Sequence, residues 1–147
     1  MDVFALLHIV TAVFIVGPMA ILPHSGLAAL RRGDAKSVRG VERSTAIFSF
    51  LSLLVFILGF GALAMSKNPN FNFSNGWLIW SMVLYILAFA LTLFLVLPSL
   101  RRGSELIDAG EDAAGAGYGK LAAANGITTL LLVLTVVFMV LMVQTGY

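Results

Sequence analysis

Two histidines, His8 and His24, bracket the apolar run "HIVTAVFIVGPMAILPH" and are the only histidines in the chain. Imidazole ligates metals and haem and changes charge near neutral pH, so these are the first residues to consider for chemistry. Their spacing restricts them. On one unbroken helix they stand roughly 24 Å apart, with side chains turned far from each other. The Gly17–Pro18 pair can redirect the helix but cannot close that gap. One subunit therefore cannot hold one ion between them. A bis-histidine haem across a bundle needs a histidine on another helix, and the sequence has none.

His8 stands one turn before Thr11 and is expected near the outer interface, facing Ser81 or Tyr85 of the third span. An interhelical hydrogen bond is the plain reading of it; contact with haem, a quinone headgroup or a partner are the others. His24 is expected in the inner interfacial zone beside Ser25. Met139 and Met142 give a soft-metal arrangement with His8 as an alternative to ordinary packing. Ser49, Ser52 and Ser81 have no histidine–carboxylate relay behind them, so no catalytic residue is assigned. The chain has no cysteine, which removes disulfides, thiolate metal sites and cysteine nucleophiles. No metal site and no resident cofactor are expected, haem or quinone at His8 being the exception to test.

The elements that carry these residues are membrane spans. Of 147 residues, 60% are hydrophobic and 11% charged, with a mean hydropathy of +1.00. A soluble domain has about 25% charged residues. Apolar runs extend from about Val3 to Leu30, Thr45 to Met65, Trp77 to Pro98 and Leu121 to Val143. Each can cross a hydrocarbon core of roughly 30 Å as a helix, which satisfies its own backbone in lipid. The first is long enough that it must tilt, kink or emerge near Pro23. The expected fold is all-α: one polytopic membrane domain of four transmembrane helices over residues 1–147. "MDVFALLH" lacks a basic leader, so the first run reads as a retained helix.

Charge orients the spans. Of nine lysines and arginines, only Lys67 lies in the middle connection, "SKNPNFNFSNG". The others lie in "RRGDAKSVRGVERS" and "RRGSELIDAGEDAAGAGYGK". Basic loops stay in the cytoplasm, so both termini are expected outside. Arg31, Arg32, Arg101 and Arg102 are the expected inner-face anchors. A formal net charge of +2 is too small to suggest nucleic acid; membrane lipids and a larger membrane protein complex are the expected partners. No acidic or basic residue lies inside a span, which argues against an ion-coupled pump.

"ILPHSGLAALRRG" and "VLPSLRRG" suggest a weak parallel repeat in which proline and Arg-Arg-Gly close the first and third spans. Small residues mark close packing: Gly59 and Gly61 in the second span, Ala122 and Gly126 at small-xxx-small spacing in the fourth, and Gly115 and Gly119 just before it. These are the expected helix-packing or partner-docking positions. Trp77, Trp80 and Tyr147 fit an outer aromatic belt.

With "LLHIVTAVFIVGPMAI", the basic "LRRGD" and four evenly placed spans, the chain resembles the predicted integral membrane proteins called DUF2269 over nearly its whole length. It is distantly similar to the histidine-bearing membrane segments of copper-resistance D proteins. That second resemblance implies redox or copper chemistry at His8 alone. The expected function is that of a non-catalytic accessory or stabilising subunit of a larger assembly in the bacterial inner membrane, such as a lipid-transport or respiratory complex. The alternatives are a small haem- or quinone-associated redox protein using His8, and a homo-oligomeric small-solute or lipid transporter.

Overall fold

The computed structural model describes residues 2–112 and 118–145. Gly115 and Tyr147 lie outside the described residues. The described residues form four helices: α1 (Val3–Arg32), α2 (Ala35–Met65), α3 (Gly76–Asp108) and α4 (Tyr118–Thr145). All four are long and apolar enough to cross a membrane. Among the described residues there is no strand. Each helix packs on its chain neighbour, and α4 returns to α1, giving an up-down-up-down bundle.

Local chemistry sets the helix ends. Asp2 accepts the Ala5 amide at 2.7 Å and starts α1. Gly33 ends it with φ +66°, a left-handed conformation that glycine adopts without a Cβ penalty. The Gly33 and Asp34 amides then donate to Leu30 and Ala29 carbonyls at 3.1 and 3.0 Å. Asp34 also caps α2, accepting from the Ser37 amide at 3.1 Å and the Ser37 hydroxyl at 2.6 Å. The first connection is therefore only Gly33–Asp34, and α2 begins well before the apolar run at Thr45. Asn75 caps α3 through the Trp77 amide at 3.0 Å.

α3 does not stop near Pro98; it continues to Asp108. Gly110, with φ +77°, provides the exit, and Gly103 is a buried residue inside the helix. The Arg-Arg-Gly pattern thus ends α1 but not α3. A different repeat is visible. Residues Ala12–Val16 and Thr92–Val96 each form a π turn, inside "AVFIVGP" and "TLFLVLP". In both, proline follows two residues after a valine and cannot donate to the phenylalanine carbonyl four residues earlier. The wider turn lets the helix run on through Pro18 and Pro98. The helix does not end near Pro23, which lies buried within α1.

The end carrying the Gly33–Asp34 turn is called the basic end below. Packing there is tight. A Cβ on Gly26 of α1 would come within 2.6 Å of Leu100 of α3 and 3.2 Å of Val41 of α2. Reciprocally, Gly103 of α3 receives the Leu30 side chain of α1. Ala29, Leu30, Val38, Val96, Leu100, Leu121 and Ala124 form the core at this end. A second cluster further along contains Met19, Tyr85, Ala88 and Leu132. Lipid offers little hydrophobic drive between helices, so such close approach supplies the association energy.

Candidate functional site

His8 is half-buried on α1 and points at α2. Its Nδ1 lies 2.8 Å from the Val55 carbonyl oxygen. A carbonyl only accepts, so Nδ1 carries the proton and Nε2 keeps its lone pair in the neutral ring. Gly59 makes room for the imidazole: a Cβ there would sit 3.0 Å from His8 Cε1. Gly61 does the same for the Phe4 ring, which a Cβ would approach to 2.6 Å. Both glycines of α2 therefore seat side chains from the start of α1.

The expected grouping of His8 with Ser81 or Tyr85 does not form. Tyr85 shares a 2.6 Å hydrogen bond with Ser52 of α2 and stacks on Phe56, ring centroids 5.2 Å apart. Ser81 donates to the Leu78 carbonyl at 2.7 Å and meets Met139 Sδ of α4 at 3.6 Å. Met139 thus serves an interhelical contact with serine rather than with His8. Among the described residues, no three histidine, cysteine or acidic side chains cluster as a metal would require.

His24 joins α1 to α4. Thr129 donates its hydroxyl proton to the Ala20 carbonyl at 3.1 Å, so it accepts from His24 Nε2 at 2.8 Å. Ser25 bonds back to the Leu22 carbonyl of its own helix at 2.6 Å. His24 itself is exposed on the bundle surface. Close by in sequence on α4, Gly126 is also exposed, and a Cβ there would meet nothing within 4 Å. Ala122 is half-buried. The bundle makes no use of the Gly126 gap.

A polar layer separates the two apolar clusters. Thr45 and Ser49 of α2, Thr92 of α3, and Asn125 and Thr128 of α4 are all buried. Ser49 and Thr92 return their hydroxyls to their own helices, bonding Thr45 and Ala88 carbonyls at 2.7 and 2.9 Å. Thr45 Oγ1, both amide atoms of Asn125 and Thr128 Oγ1 have no hydrogen-bond partner. Orphaned groups of this kind are uncommon in native interiors. Sequence reading missed this layer because Asn125 and Thr128 look like isolated polar residues near the start of a span. Their helical spacing with Leu121 and Leu132 was the available signal.

At the basic end the arginines have distinct roles. Arg39 pairs with Asp108 at 2.6 Å and Arg101 with Glu42 at 3.0 Å, both bridging α2 and α3. Arg31 lies over the Tyr118 ring, 4.9 Å from its centroid, and bridges α1 and α4. Arg102 is exposed. Arg32 borders a groove of about 390 Å3 between α1 and α2. The hydrogen bonds from the Ser37 side chain and amide hold the Asp34 carboxyl below its ordinary value, with smaller help from Arg32 and Lys36.

A family model described as a predicted integral membrane protein (DUF2269) matches residues 2–145, and the chain belongs to that family. No curated protein and no solved structure matches it.

Proposed function

We propose that this DUF2269 protein is a non-catalytic accessory subunit that packs within the bilayer against a larger assembly, such as a lipid transporter or a respiratory complex. The bacterial inner membrane is its setting, with the basic end in the cytoplasm and both termini on the other side. The segregation of all basic residues but Lys67 to one end supports that orientation.

The observation that carries the docking role is the outward Gly126. Glycine in a helix costs roughly 1 kcal/mol relative to alanine. Gly26, Gly59, Gly61 and Gly103 each seat a side chain from a neighbouring helix. Gly126 seats none, and neither do Gly17, Gly40 and Gly119, but it alone of these stands at small-xxx-small spacing with Ala122 within the fourth apolar run, which fits a place for a helix from another subunit. Purification from native membranes in mild detergent, followed by mass spectrometry, tests this. A stoichiometric larger complex that dissociates in Gly126→Leu supports the role. A persistent monomer in native membranes defeats it.

A second reading rests on His8. An imidazole whose Nδ1 proton is fixed by a backbone carbonyl presents Nε2 as a ligand atom, the arrangement common at metal-bound histidines. A visible haem spectrum, or bound quinone, lost in His8→Ala would favour a small redox protein.

A further inference from the structure

We propose that the α1–α2 groove at the basic end binds one anionic phospholipid from the adjoining leaflet. Its headgroup phosphate would lie on Arg32 and an acyl chain on Leu22. The groove leads from a charged mouth inward along the two helices. Arg32 and Ser37 border its mouth, Val41 lies deeper, and Leu22 and Ser44 line its membrane-side end. Leu22 to Arg32 spans about 15 Å of helix, enough for a headgroup, a glycerol and the upper part of a chain.

Positive charge also marks this groove, as it does Arg102 of α3 and Lys120 of α4, which are exposed and pair with no carboxylate among the described residues. Arg39, Arg101 and Arg31 are already engaged by Asp108, Glu42 and Tyr118. Arg32, Lys36 and Arg43 are exposed and pair with no carboxylate among the described residues. All three lie on the two helices that wall the groove. The nearest acid in sequence, Asp34, is turned onto Ser37 as a helix cap. A guanidinium at the mouth of a trough that Leu22 and Val41 line fits a phosphate diester carrying hydrocarbon. Gly40 keeps the trough open, since a Cβ there would meet nothing within 4 Å.

The test uses the full chain in nanodiscs of phosphatidylcholine, with and without phosphatidylglycerol, and native mass spectrometry to count retained lipids. One phosphatidylglycerol should stay bound in preference to phosphatidylcholine. Gly40→Leu fills the trough without changing charge; Arg32→Gln removes the charge and keeps the shape. Both positions are exposed, so neither variant disturbs the core. Arg32→Gln should lower phosphatidylglycerol retention about fivefold, the effect of one basic residue at an anionic surface, and Gly40→Leu should lower it by blocking the trough. Lys120→Gln, on α4, should leave retention unchanged. Equal retention of both lipids, wild-type retention in Gly40→Leu, or an equal loss in Lys120→Gln would overturn the assignment. Displacement by inorganic phosphate alone would identify a bare anion site and overturn it too.

Discussion

Leu30 of α1 reaches the backbone of α3 at Gly103, and four residues before Leu30 its own helix offers Gly26 to Leu100 of α3. Each helix thus supplies one leucine and one glycine to a reciprocal contact. Gly103→Val should force this contact apart. Overpacking of this kind costs about 1–3 kcal/mol. Thermal unfolding in detergent should show a clear loss, while Gly126→Ala, which meets no neighbour within the bundle, should match or slightly exceed wild type.

His8→Ala removes the hydrogen bond to Val55 and empties the space over Gly59. Interhelical bonds in membranes are worth about 0.6–2 kcal/mol. The loss should appear as a lower unfolding midpoint in denaturing detergent, and Gly59→Ala should produce a loss of its own by crowding the ring. Full stability in both variants would show that the α1–α2 seam does not depend on this histidine.

Thr45→Val should stabilise the bundle. The hydroxyl is buried without a partner, and leaving such a group unsatisfied costs about 1–3 kcal/mol, which an isosteric methyl removes. Equilibrium unfolding of the two proteins under one detergent condition measures the difference. A destabilised Thr45→Val would mean that the polar layer is satisfied by bound water.

The Asp34 cap should weaken in acid. Its folded-state pKa lies below the ordinary 3.8, so its contribution is complete above that value. It disappears as pH falls through the lowered value. Asp34→Asn keeps a cap without a titrating group. Its melting temperature should therefore fall less than wild type's between neutral and strongly acidic pH, and an identical acid profile would contradict the assignment.

The two ion pairs between α2 and α3 should differ. Arg39 and Asp108 are 50% and 59% exposed, so their coupling in a double-mutant cycle should be small, about 0.2–1 kcal/mol, and should fade with salt. Glu42 is 16% exposed but Arg101 is 71% exposed, so the Arg101–Glu42 coupling should exceed the other only modestly and should also fade with salt.

The four spans were legible because twenty-residue apolar runs have few other solutions. The helix ends were less so. Hydropathy marks where a helix enters lipid, whereas Asp34 and Gly110 mark where it starts or stops, up to ten residues outside the apolar run. Gly103 looked like an exit because it follows two arginines; only the position of Leu30 shows that it is a packing surface. His8 could be placed on its helix but not aimed, since its partner is a backbone carbonyl with no sequence signature. The orphaned layer of Thr45, Asn125 and Thr128 emerges only when α2 and α4 are set in register.

No residue in Val3–Thr11 is buried, and α4 meets α1 through Gly17–Arg32 instead. The bundle therefore gapes sideways at the end remote from its basic turns. The first three turns of the chain rest on α2 alone, and hydrocarbon tails border the side where α4 is missing. Bilayer thickness and tail ordering will act on that segment more strongly than on any other part of the molecule.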